Sequence, residues 1–209
     1  MTAPRHDPGA FGGLSPSQIE RLSGALFHAH RQLVKVRRAA QDWSIPLLYD
    51  VHRSIFGGLF AHAAGVERRE EVALRGLVVP RVGQIQYRLA TIVQNIQDLI
   101  TLSATLAGEE RLNAVFAGAA RIHADCVCVQ PFVDGNKRWA RVVLSALLVD
   151  CGFAPGTEIA GADQDRYMEG IRKTTNEDHP EQLAELILAG WIALRQAYRQ
   201  AGHSGFVPY

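Results

Sequence analysis

Apolar residues recur every third or fourth position along most of this chain, the spacing that puts them on one face of a helix. Ile19, Leu22, Leu26, Leu33 and Val36 form the first such stripe. Ser15 stands before it as a cap, Pro16 suits the first helical position and Gln18 completes a capping box. An N-terminal helix over 15–44 is therefore expected. A second helix starts at Pro46, runs through Leu47, Leu48, Val51, Ile55 and Phe56, and stops at the Gly-rich "GGLFAHAAG". The pattern returns over Ile85–Leu106, from about Glu110 to Val129, over Asn136–Asp150 and around Asp163–Lys173. It returns last after Pro180, through Leu183, Leu186, Ile187, Trp191, Leu194 and Tyr198.

One stretch breaks the period. In residues 66–80, Val72 and Leu74 lie before Arg75-Gly76, and Leu77, Val78 and Val79 after it. Two short β-prone runs about a Gly-containing pair predict a small hairpin. The fold class is thus mostly α, about seven helices and one hairpin, with a main domain over 45–200. The Pro/Gly-rich residues 1–14 read as a flexible tail, and 201–209 as a C-terminal tail.

Composition adds bounds. The chain has 209 residues, 47% hydrophobic and 21% charged, enough for one domain with a proper core. A formal net charge of +1 gives no global field for nucleic acid or anionic membrane, so any anion site must be local. Cys126, Cys128 and Cys151 are too few for a disulfide framework and read as buried thiols in a reducing compartment. No run is expected to be long and apolar enough to span a bilayer, and cytoplasmic residence is the default expectation.

The chemistry concentrates in "VCVQPFVDGNKRWARVV", Val127 to Val143. Gly135 permits a tight bend and close backbone approach. Asn136 and Lys137 follow at a helix start, where unpaired N–H groups and the helix dipole favour an anion. Arg138 and Arg141 are three apart and reach one face, and guanidinium groups hold phosphate oxygens in pairs. Asp134 would repel a bare phosphate unless a divalent cation lies between them, as Mg²⁺ does between a carboxylate and phosphate oxygens. The stretch specifies a di- or triphosphate with Mg²⁺. Asp-Gly-Asn is also an ordinary turn, and Lys and Arg early in a helix also fit a solvated face.

"QPFVDGNKRWAR" resembles the signature of the Fic (Fido) family, H-P-F-x-[D/E]-G-N-[G/K]-R-x-x-R, at every defined position except the first, where Gln130 stands for the histidine. "RIHADCVCVQPF", "DVHRSIFGGLFAHAAGVER" and "RYMEGIRKTTNEDHPEQL" resemble neighbouring family segments, so the resemblance covers about residues 45–195. It implies a Fic-fold helical domain with a flap. It implies that Asp134 holds Mg²⁺, and that Gly135 and Asn136, the latter with its side chain, line the anion hole beside Lys137. Arg138 and Arg141 would hold the outer phosphates, and Phe132 would anchor the loop. The flap, with Val72, Leu74, Leu77 and Val78, would register a target by strand-like pairing. Fic enzymes typically move AMP from ATP to a protein hydroxyl.

Gln130 complicates that activity. An amide has no useful protonation equilibrium near neutral pH, and losing a general base typically costs about 10²- to 10⁴-fold. Three readings remain: a diverged enzyme in which Gln130 orients water or a hydroxyl while a nucleotide-type phosphate is cleaved or transferred; a nucleotide-binding pseudoenzyme; and a protein-AMPylating toxin. Catalytic candidates are Gln130, Asp134 and Arg138. A nucleotide, a protein target, an antitoxin-like partner and a second copy of the chain are all admissible partners. His123 reads as a core residue two turns before Gln130, His28 and His30 lie on different helix faces, and the charges Glu67-Arg68-Arg69-Glu70-Glu71 read as a solvated turn.

Overall fold

The computed structural model describes Ser17, residues 42–154 and residues 164–200. The expected N-terminal helix, apart from Ser17 and residues 42–44, and both expected tails lie outside these residues. Six α-helices are described: α1 (Ile45–Phe56), α2 (Ile85–Thr105), α3 (Gly108–Val129), α4 (Asn136–Asp150), α5 (Gln164–Glu177) and α6 (Glu181–Gln200). A single 3₁₀ turn, Val82–Gln84, leads into α2.

Local chemistry sets the ends. Ser44 caps α1, its hydroxyl accepting from the Leu47 amide at 3.3 Å, and Pro46 sits in the first turn. In α2 the buried positions are Ile85, Leu89, Ile92, Ile96, Leu99 and Ser103, an unbroken three-and-four rhythm that faces α3. Helix α5 runs one turn beyond the expected Lys173, and within that turn the Thr174 and Thr175 hydroxyls bond back to the carbonyls of Gly170 and Ile171.

Helix α3 is the axis of the bundle, packed against α2, α4, α5 and α6. Neighbours on every side require an apolar surface all round, and small residues such as Ala119, Ala120 and Ala124 let those neighbours approach. This corrects one expectation: α3 is long and apolar enough to cross a membrane by length and composition. Its apolarity is explained by its place in the core. The three cysteines are free and buried, as expected.

The hairpin is the second correction. Arg75-Gly76 does form a tight turn, with Gly76 at φ 76 and the Leu77 amide donating to the Leu74 carbonyl at 3.1 Å. Leu74 and Leu77 make one isolated bridge, and no β-hairpin ladder extends from it among the described residues. The physical reason lies in what holds the flanks. Val72 and Val78 point to solvent, Pro80 has no N–H to give, and the Glu70 and Pro80 carbonyls accept from the Arg68 side chain instead of from each other's strand. Arg68 itself is only 3% exposed, so the charged run is not a solvated turn at that position.

Candidate functional site

The site is built where α3 stops. Gln130 takes a left-handed conformation, φ 43 and ψ 58, unusual for a residue with a side chain, and this ends the helix. Its side chain turns inward. Nε2 donates to the Val127 carbonyl at 2.6 Å, and Oε1 accepts from Asn136 Nδ2 at 3.2 Å. Asn136 braces the loop in turn: Oδ1 accepts from the Phe132 amide at 2.9 Å and Nδ2 donates to the Phe132 carbonyl at 3.0 Å. Phe132 is buried, stacked on His52 at 3.8 Å and edge-on to Tyr49 and Trp139.

His52 completes this support. The Gly65 amide donates to Nδ1 at 2.8 Å, so Nε2 carries the proton and donates to the Asp134 carbonyl at 2.9 Å. Gly135 then turns the chain at φ 79, and α4 begins. The Asp134 carboxylate accepts from the Gly135 amide.

Gln130, Asp134, Gly135, Asn136, Lys137, Arg138 and Arg141 line one cavity of about 410 Å³ at the start of α4. Three cations thus face one carboxylate, beside amides that the helix leaves without internal partners. Neither Arg138 nor Arg141 forms an ion pair among the described residues. The Arg141 guanidinium lies over the Tyr167 ring, 5.8 Å from its centroid. Tyr167 donates its hydroxyl to His123 Nε2 at 2.8 Å, and His123 Nδ1 donates to the Ala140 carbonyl at 3.2 Å. His123 is therefore a buried support for α4 and Tyr167, with both nitrogens engaged, and no substitute base. Burial holds the Tyr167 phenol up at about 12.

Of the residues singled out in the sequence, Gln130 and Asp134 to Arg138, with Arg141, meet at this cavity, while Val72, Leu74, Leu77 and Val78 belong to the separate turn segment. Sequence reasoning missed the roles of His52 and Arg68, whose partners lie far along the chain.

Burial pushes both His52 and His123 down to about 4, so each stays neutral in the fold at neutral pH. The unfolded chain, with ordinary histidines near 6.5, binds more protons between these values. Stability should therefore be full above about pH 6.5 and fall by about 1.4 kcal/mol per pH unit for each histidine towards pH 4. Urea unfolding at a series of pH values measures this. Replacing His123 with glutamine should lessen the slope.

A profile of the Fic/DOC family matches residues 42–148. The chain belongs to the Fic/DOC family. A protein adenylyltransferase Fic of Drosophila willistoni is 30% identical over 108 residues, 52% of this chain and 20% of that protein. A protein adenylyltransferase Fic of Nematostella vectensis is 24% identical over 165 residues, 79% of this chain and 36% of that protein. The chain thus spans well under half the length of the curated relatives it matches. The solved structure of C. elegans Fic-1, residues 134–508, superposes with a TM-score of 0.68 at 22% identity, covering 98% of this chain and 55% of that one. The Fic fold of the described helices follows.

The family implies Mg²⁺, and the residues fit it in one way. Among the described residues no group of three or more His, Cys, Asp or Glu side chains could hold a metal. Among the described residues Asp134 is the one carboxylate that lines the cavity, which suits an ion that is commonly held by one or two carboxylates together with substrate phosphates.

Proposed function

We propose that this Fic-family domain binds the phosphates of a Mg-nucleotide, or of a small molecule that contains a nucleotide, and cleaves or transfers at the phosphate. The convergence of Lys137, Arg138, Arg141 and the α4 N-terminus on one cavity carries this reading. Two guanidinium groups and unpaired amides stabilise the extra charge of a phosphoryl transition state by position alone. In such a step the acceptor oxygen bonds to phosphorus, the bond to the leaving phosphate or pyrophosphate breaks, and the acceptor's proton passes to a phosphate oxygen. Gln130 does not take that proton. Its inward bonds to Val127 and Asn136 give it the work of fixing the turn, which does not favour the role of orienting water. When bound, Mg²⁺ would be held by Asp134 and would supply charge neutralisation for the phosphate.

A second reading, nucleotide binding without turnover, is favoured by the same engagement of the Gln130 amide. A protein-AMPylating activity like that named for the relatives is the reading least favoured by Gln130. Incubation with Mg-ATP, other nucleotides and dinucleotides, followed by mass spectrometry, separates these readings. New phosphate-containing products support the enzyme, and binding without products supports the second reading. Arg138→Ala should weaken Mg-ATP binding about 10- to 100-fold, since a hydrogen bond to a charged group contributes about 1.5–3 kcal/mol. Unchanged affinity by calorimetry would sink the phosphate site.

A further inference from the structure

We propose that Arg68 is a positioning residue that joins the turn segment 70–80 to the phosphate-site loop, so that the two move as one unit. All three nitrogens of its buried guanidinium donate to backbone carbonyls, and the carbonyls belong to three separate places. Nε donates to Gln130 at 2.7 Å, Nη1 to Glu70 at 2.8 Å and Nη2 to Pro80 at 2.6 Å. The Arg68 amide donates to the Pro131 carbonyl at 3.0 Å, and Glu67 forms an antiparallel bridge with Phe132.

These contacts assign a task to each side. On the loop, the Gln130 carbonyl ends α3 and is bound at the left-handed turn from which Pro131 to Gly135 depart. On the segment, Glu70 and Pro80 are the two feet, and they are held together by the guanidinium where a strand ladder is lacking. Glu71 reinforces the feet, its carboxylate lying 3.6 Å from Arg68 Nη1 and accepting from the Val82 amide at 3.2 Å. The tip is fixed by Asn176 Nδ2, which donates to the Gly76 carbonyl at 3.1 Å. A displacement of the Gln130 turn on ligand binding therefore reaches Glu70 and Pro80 through one rigid planar group.

Arg68→Lys tests this, because a lysine ammonium cannot present three coplanar donors to three segments. The first arm uses ligand-free protein and backbone ¹⁵N relaxation. In Arg68→Lys, order parameters of 72–79 and of 132–136 should fall together, from about 0.85 towards about 0.6, with α2 and α6 unchanged. Loosening of one segment alone, a uniform loss across the fold, or no change would overturn the proposal. The second arm adds Mg²⁺ and pyrophosphate, and rests on the phosphate reading above. With Arg68 present, amide shifts at 135–141 should be accompanied by shifts at 72–79. In Arg68→Lys the shifts should stay within 130–141. Shifts confined to 130–141 already in the unaltered protein would overturn the coupling while leaving the phosphate site intact. If pyrophosphate shifts no amide at 135–141, the phosphate reading falls, and the ligand-free arm decides the Arg68 proposal by itself.

Discussion

Phe132→Ala should destabilise the fold by about 3–5 kcal/mol, the range for removing a fully buried aromatic ring. The ring is 1% exposed and lies among His52, Tyr49 and Trp139. His52 stacks on it at 3.8 Å while donating to the Asp134 carbonyl at 2.9 Å. Removing the ring therefore frees the imidazole that holds the loop as well as opening a cavity. The Asn136 side chain brackets the main-chain amide and carbonyl of residue 132, which alanine keeps, so what α4's first residue loses is the ring packing that holds that segment in place. Two measurements should move together: the urea midpoint, and the affinity for Mg-pyrophosphate at a temperature where the variant is still folded. Phe132→Leu, which keeps most of the volume, should retain most of both. A large stability loss with undiminished affinity would show that the phosphate site does not depend on this anchor.

Phe132 also shows what could be read in advance. Its role as the loop's anchor came from the resemblance of the short, contiguous motif to the family signature, and the ring is buried as that resemblance implied. The helix faces were legible because the period of Ile85, Leu89, Ile92 and Ile96 is local. Other features depend on partners far away. His52 meets Asp134 across 82 residues and Arg68 meets Gln130 across 62, and neither pairing leaves a periodic trace. Arg68 was moreover hidden in a run of five charged residues, which reads the same in sequence whether one of them is buried or none. The turn at Arg75-Gly76 was correctly marked by its glycine, but a turn signal does not say whether its flanks pair. Here a guanidinium satisfies the carbonyls that a ladder would have used. In α3 the apolar composition was read by period alone, and only the packing of four helices around it explains why the polar face is nearly missing.

The largest functional gain should come from Gln130→His. General-base catalysis contributes about 10²- to 10⁴-fold, and the surrounding groups that would use it are already assembled around the cavity. The backbone favours the change: φ 43 and ψ 58 are left-handed values at which histidine is among the better-tolerated residues. One ring nitrogen, carrying the proton, can take over the donor role of Gln130 Nε2 towards the Val127 carbonyl, leaving the other with its lone pair for the acceptor hydroxyl. The bond from Asn136 Nδ2 to the Gln130 side chain is lost, at a stability cost of about 0.5–1.5 kcal/mol, while Asn136 keeps its bond to the Phe132 carbonyl. Lys137, Arg138, Arg141 and the positive end of α4 would all disfavour an imidazolium, so the ring would be neutral and able to accept a proton at neutral pH. The variant should therefore turn over Mg-ATP about 10²- to 10⁴-fold faster than the parent, either to water or to a protein hydroxyl, as read by mass spectrometry of both nucleotide and protein. Arg138→Ala on top of it should remove the gain, because the base is useful only on a held phosphate. If Gln130→His binds Mg-ATP as tightly as the parent and gains no turnover, the cavity holds the nucleotide in a pose from which no acceptor can attack. The binding module would then be the function, and Gln130 its structural latch.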